Sequence, residues 1–100
     1  MIRVHGFDTE IVEPPAELDI ATAAEAQRRI VDLTTEERVI VDLSQVHFMD
    51  CAGLGALLRA RAVLEGEGGT MLVVNPTPEV RRVLHLTHTD DLVADPVDGE

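Results

Sequence analysis

Residues 39–64 constrain the fold more than any other stretch, because the spacing of apolar residues changes within them. Residues 39–43, VIVDL, form a nearly continuous apolar run, which is typical of a buried strand. A tight loop around Asp50 follows and leads into helical spacing. We expect any function to lie at this helix start, because a helix N-terminus presents unpaired N–H groups and a partial positive charge. The helical stripe consists of Leu54, Leu57, Leu58 and Val63, with Ala60 and Ala62 as small fillers.

Apolar strands alternate with amphipathic helices along the rest of the chain. This order is typical of an α/β domain with a mostly parallel central sheet and crossover helices. Residues 39–43 and 71–74 are almost entirely apolar, so we predict neighbouring inner strands that are covered on both faces. We expect a single domain over residues 1–100, with its core at about residues 10–95 and a frayed acidic tail at residues 95–100. Further strands are predicted at residues 1–5, 10–13 and 92–93.

Two further helices have recognisable start signals. Thr22, with Glu25 three positions later, has the spacing of a capping box. Pro78 suits the first turn of a helix, because its missing N–H is not needed there. The inner faces are predicted to consist of Ala23, Ala26, Ile30 and Leu33 in the first of these helices, and of Val80, Val83 and Leu84 in the second.

The composition restricts the expected partners and compartment. The net charge is −11, with eight arginines and no lysine. Nucleic acids and anionic membrane surfaces favour clustered cations, so neither is an expected partner. A single cysteine excludes an internal disulfide and suits a reducing compartment. No apolar stretch approaches the ~20 residues of a membrane span and no signal segment is visible, so we expect a cytoplasmic location.

Cys51 is the one residue whose position suggests nucleophilic chemistry. A helix start favours a thiolate, whereas the adjacent negative charge of Asp50 disfavours it. A catalytic thiol also needs a base within reach, and nothing in the sequence places His47, His85 or His88 beside Cys51. We therefore expect a small, partly buried and unreactive thiol, and a protein that is not an enzyme.

Other motifs favour neither a metal site nor a cofactor. His85 and His88 are spaced to share a helical face, but with no Cys or carboxylate at ligand spacing we interpret them as surface histidines near a helix C-terminus. Gly53 and Gly55 follow a strand as in a dinucleotide-binding loop, but Leu58 stands where that motif requires a third small residue. Asp42, at a strand end, is interpreted as a structural hydrogen-bond acceptor.

Three segments resemble the STAS domain of bacterial anti-sigma factor antagonists. They are AELDIAT at residues 16–22, VDLS at 41–44 and FMDCAGLG at 48–55, and the likeness continues through residues 68–84. The resemblance implies a small α/β domain without enzymatic activity or cofactor. It also implies a partner, an anti-sigma factor with a kinase fold, whose capture frees a sigma factor.

The resemblance also implies which residues bind the partner. The family's phosphoacceptor serine falls on Cys51, and because a thiol is not a normal kinase substrate, we expect no switching by phosphorylation. A large charged residue at Leu54 or Gly55 is expected to weaken binding without unfolding the domain. Two alternatives remain open: a STAS subunit of another assembly, such as a lipid-transport ATPase or a stress-signalling complex, and a redox sensor built on Cys51. The implied contact residues are Asp19, Thr22, Asp50, Cys51, Ala52, Gly53, Leu54 and Gly55.

Overall fold

The computed structural model describes the backbone of residues 3–6 and the whole of residues 9–32 and 38–93. Leu33 and the predicted tail at residues 95–100 therefore lie outside the described residues. No helix within these ranges has both the length and the apolar character that crossing a bilayer requires. The elements are β1 (Arg3–Gly6), β2 (Thr9–Val12), β3 (Glu17–Leu18), α1 (Ala23–Val31), β4 (Arg38–Asp42), β5 (Phe48–Met49), α2 (Cys51–Gly66), β6 (Thr70–Val74) and α3 (Pro78–Leu86), followed by a 3₁₀ turn at Asp90–Leu92.

Strands β1, β2, β4 and β6 form one sheet in that order. β1 is antiparallel to β2, whereas the β2–β4 and β4–β6 pairs are parallel, which confirms the predicted α/β class. β4 and β6 are neighbours, with Ile40 opposite Leu72, as predicted. Among the described residues β6 ends the order, which corrects the prediction that both are inner strands. An isolated parallel bridge joins its outer side, at Val73, to Val93 in the predicted last strand.

The two faces of the sheet differ in burial. In β2, β4 and β6 one face is buried, and all three helices contribute to a single hydrophobic cluster with it. On the other face Ile40, Leu72 and Val74 are only partly buried. The expectation that β4 and β6 are covered on both faces is therefore met for one face and only in part for the other, because the described helices all pack into one cluster. The residues of the covered face in these two strands are Val39, Val41, Met71 and Val73.

Helix α2 shows where the predicted stripe holds and where it fails. Leu54, Leu57 and Ala60 are buried as predicted, and Leu58 packs partly against the core. Val63 is exposed, and Leu64 is buried in its place. The prediction failed there because continued steps of three and four residues from Ala60 lead to Leu64. Ala62, predicted as a filler, is also exposed.

The other two helices match their predicted inner faces over the described residues. Ala23, Ala26 and Ile30 are buried in α1, and Val80 and Leu84 are buried in α3. Thr77 caps α3, with its hydroxyl accepting from the N–H of Val80 at 3.4 Å. Val83 packs partly against the core, as its place on the predicted stripe requires.

Candidate functional site

A second, two-stranded sheet brings the predicted site residues together. β3 and β5 pair in parallel, with Glu17 opposite Phe48 and Leu18 opposite Met49. The N–H of Asp50 continues the pairing by donating to the carbonyl oxygen of Leu18 at 3.3 Å. Because parallel strands end on the same side, residues 19–22 and 50–55 lie next to each other. We call residues 19–22 together with residues 50–55 the paired-loop surface.

Asp19 organises the first loop through its own side chain. Its Oδ1 accepts from the N–H of Ala21 at 2.9 Å and from the N–H of Thr22 at 3.2 Å. Its carbonyl oxygen also accepts from the N–H of Ala23 at 2.7 Å, which joins the loop to the first residue of α1. These bonds form an Asx-type turn, so Asp19 fixes the conformation of the loop as well as contributing negative charge.

Thr22 serves the same loop and does not form a capping box. Its hydroxyl donates to the carbonyl oxygen of Glu17 at 2.8 Å and accepts from the N–H of Asp19 at 3.0 Å. No side-chain hydrogen bond caps α1 from this position. The prediction is wrong because Glu25 pairs instead with Arg28 at 2.7 Å and with Arg29 at 2.8 Å. These hydrogen bonds, first that from Arg28 and then that from Arg29, hold the pKa of Glu25 below its usual value.

Asp50 caps α2, and the residue after it faces solvent. Oδ1 of Asp50 accepts from the N–H of Gly53 at 3.0 Å, which satisfies one of the free N–H groups at the helix start. Cys51 is exposed, which corrects the expectation of a partly buried thiol. A helix start leaves the side chain of its first residue outside the turn, so Cys51 is accessible. Ala52 and Gly55 are partly exposed beside it.

Gly53 and Leu54 are buried, although the resemblance lists them among the contact residues. A Cβ atom on Gly53 would collide with the carbonyl oxygen of Leu18, so only glycine allows α2 to start this close to β3. Leu54 belongs to the hydrophobic core. Because a charge without a partner is costly in the core, we expect a charged residue at Leu54 to destabilise the domain as well as to weaken binding. At Gly55 an added Cβ meets only the guanidinium of Arg59.

The remaining candidates lie away from Cys51 or serve structure. Asp42 accepts from the N–H of Ser44 at 2.9 Å and from Nδ2 of Asn75 at 3.4 Å, which confirms its structural role. His85 Nδ1 lies 3.3 Å from Oδ2 of Asp90. Within the described ranges no three potential ligands are grouped to hold a metal ion. His47 lines an open cleft of about 620 Å³ that Cys51 does not reach.

Two exposed apolar residues at this site were not predicted. Ile20 is 80% exposed within the first loop, and Phe48 is 50% exposed in β5. For Ile20 the sequence held no clear signal, because its exposure follows from the hydrogen bonds that Asp19 and Thr22 make around it. For Phe48 only the alternation along β5 shows that Met49 faces inward and Phe48 outward.

A comparison with models of protein families identifies the family of this chain. The model of the STAS domain matches residues 2–98. The chain belongs to the STAS domain family. A STAS-domain containing protein of Pseudomonas aeruginosa is 34% identical over 58 residues, which are 58% of this chain and 57% of that relative. A Thermotoga maritima protein, named provisionally as an anti-sigma factor antagonist, is 29% identical over 86% of this chain and 79% of its own length.

Solved structures confirm the STAS fold. A Thermotoga maritima structure, described provisionally as an anti-sigma factor antagonist, superposes with a TM-score of 0.81 at 27% identity, over 92% of this chain and 81% of that one. The anti-sigma factor antagonist SpoIIAA in its unphosphorylated form gives 0.77 at 22% identity, over 97% and 94% of the two chains. SpoIIAA is also known in a phosphorylated form. The STAS domain described here therefore has the architecture that the sequence resemblance implied.

Proposed function

We propose that this STAS domain is an anti-sigma factor antagonist: a binding module that captures an anti-sigma factor with a kinase fold and so frees a sigma factor. Relatives that bear this name support the role. The contact surface in this proposal is the paired-loop surface, with Asp19, Thr22, Asp50 and Cys51 at its centre. No step of catalysis by the domain itself is part of the proposal.

The parallel pairing of β3 and β5 is the observation that supports this function most strongly. The pairing brings together two loops whose first residues, Asp19 and Asp50, are 31 positions apart in the sequence. The two loops then form one surface. Both loops are held by hydrogen bonds within the domain, so little conformational freedom is lost when a partner binds. Functional residues on loops above a rigid scaffold are the usual arrangement of a binding site.

The exposure of Cys51 bears on how the domain is regulated. SpoIIAA has a phosphorylated form, and a phosphate adds about 1.5 to 2 negative charges, which disfavour an interface when carboxylates lie beside it. Cys51 is accessible to a partner, but its thiol is not a normal acceptor for a serine kinase. We infer that the domain stays competent to bind its partner in the presence of ATP.

Displacement of a sigma factor tests the proposed function. Each anti-sigma factor of the source organism is purified with its fluorescently labelled sigma factor, and this domain is added while anisotropy is recorded. We expect one pair to dissociate, and Gly55→Arg to weaken that effect at least ~10-fold without unfolding the domain. Leu86→Arg, on α3, is the matched control and should act like the wild type. Failure to displace a sigma factor from any pair would contradict the proposed function.

Incubation with the same anti-sigma factor and ATP tests the regulation. Intact mass should show no phosphate on the wild type, whereas Cys51→Ser should accept one and then lose displacement activity. A phosphate on residues 50–55 of the wild type would refute the proposed insensitivity. The displacement result would stand in that case, because it does not depend on ATP.

A further inference from the structure

Ile20 is the most exposed large hydrophobic side chain among the described residues, at 80%. It lies between Asp19 and Ala21 in the first loop, where Ala21 is exposed as well. Exposed single apolar residues are common on protein surfaces, so exposure alone does not indicate binding. The way in which the chain holds Ile20 is the more informative feature.

Hydrogen bonds hold the four-residue loop around Ile20 on both sides. The side chain of Asp19 accepts from the N–H groups of Ala21 and Thr22, on the far side of Ile20. The hydroxyl of Thr22 bonds back to Glu17 and Asp19, on the near side. Ile20 is thus fixed from both directions, and its side chain is presented to solvent with little backbone entropy left to lose. An apolar side chain on a preorganised loop raises affinity because less entropy is lost when it is ordered at an interface.

The surroundings of Ile20 combine apolar area with negative charge. Phe48 is 50% exposed on the outer face of the β3–β5 pair, directly opposite the exposed Glu17. Asp19 and Asp50 stand at the ends of the two strands, and the whole chain has a net charge of −11. Charge complementarity therefore favours a partner with an apolar pocket whose rim is basic.

We infer that Ile20 is the apolar anchor of the partner-binding surface, inserted into an arginine- or lysine-rimmed pocket of the anti-sigma factor, and that Asp19 and Thr22 act mainly by holding Ile20 in place. This inference rests on the proposed function and adds a residue that the family resemblance does not imply. Glu17 and Phe48 extend the same surface, and Glu17 faces the basic rim.

Affinity measurements on the anti-sigma factor identified by displacement test this inference. By calorimetry, Ile20→Ala should weaken binding at least ~10-fold and Ile20→Asp about 100-fold, while Ile20→Leu stays close to the wild type. Leu86→Asp is the matched control, because Leu86 is 66% exposed on a different element, and it should change affinity less than ~3-fold. Thermal melting should be the same for all four variants, since neither side chain is part of the core.

Charge reversal tests the predicted rim. Glu17→Arg should weaken binding, and raising the salt concentration should weaken the wild type in the same direction. Wild-type affinity in Ile20→Asp, or a gain of affinity in Glu17→Arg, would overturn this inference while leaving the proposed function intact. If the wild-type domain binds none of the anti-sigma factors, the function and this inference fail together.

Discussion

The starts of helices α1 and α2 stand side by side and are built differently. At α2, Asp50 has an extended backbone (φ −113°, ψ −173°), and its side chain caps the helix by accepting from Gly53. At α1, Thr22 already has near-helical backbone angles (φ −111°, ψ −9°) and makes no capping bond to the helix. Its hydroxyl and the carboxylate of Asp19 are used within the preceding turn instead.

This difference shows that similar polar residues serve two purposes at one surface. The α2 start is a local cap, which leaves Cys51 exposed on a regular helix. The α1 start is a closed turn, which fixes Ile20 in an exposed position. The first arrangement leaves a small thiol accessible, and the second holds an apolar side chain in place. A partner that covers both loops would contact Cys51 at the start of a regular helix and Ile20 on a closed turn.

The largest effect should come from the contact between α2 and β3. Gly53→Ala places a methyl group against the carbonyl oxygen of Leu18, which must move, so we expect a loss of ~1–3 kcal/mol in the free energy of unfolding. Gly55→Ala, on the same helix, meets only the flexible end of Arg59 and should gain up to ~1 kcal/mol from helix propensity. Urea denaturation measures both, and equal midpoints for the two variants would contradict the described approach of α2 to β3.

Alanine substitutions of Asp19 and Asp50 should have a smaller effect on stability and should differ in their effect on partner affinity. Asp50→Ala and Asp19→Ala should each lower the free energy of unfolding by ~0.5–2 kcal/mol, because each removes side-chain bonds to backbone N–H groups. Only Asp19→Ala frees Ile20, so it should lower partner affinity more than Asp50→Ala does. Asn at either position keeps these bonds and should restore stability. A larger affinity loss in Asp50→Ala would indicate that the α2 start, and not Ile20, dominates binding.

The smallest expected change in stability is that of Glu25→Gln, and it distinguishes the ion pairs of Glu25 from a capping box. Because the pKa of Glu25 is lowered in the folded state, its carboxylate stabilises the fold at neutral pH, and this contribution disappears as the pH falls through the lowered pKa. Glu25→Gln should therefore have a slightly lower Tm at pH 7, and the difference should vanish in acid and in high salt. Glutamine can serve a capping box, so equal Tm values at pH 7 would favour a capping box over the ion pairs. A Tm difference that survives in high salt would also contradict the ion-pair assignment.

The sequence predicted those parts of the fold that depend on local apolar spacing. The strand and helix order and most inner faces follow from periods of two and of three to four residues, and the start of α3 follows from Pro78 in its first turn. It did not predict β3 and β5 as a separate sheet, since Glu17–Leu18 and Phe48–Met49 are two residues long and show no period. Their pairing depends on contacts between distant segments.

The site was only partly predictable for the same reason. The resemblance implied Asp19 and Asp50, but not that one closes a turn and the other caps a helix. The capping box at Glu25 failed because Arg28 and Arg29, at helical spacing from it, compete for its carboxylate. The exposure of Ile20 results from hydrogen bonds among its neighbours, which spacing alone does not reveal.

The central claim is that two loops form one partner-binding surface. NMR chemical-shift mapping, with the isotope-labelled domain titrated by its anti-sigma factor, tests it most directly because each amide reports separately. We expect amides of residues 19–22 and of residues 50–55 to shift together at the same partner concentration, while those of α3 stay in place. Shifts confined to one of the two loops, or centred on α3 or on the cleft at His47, would contradict the claim.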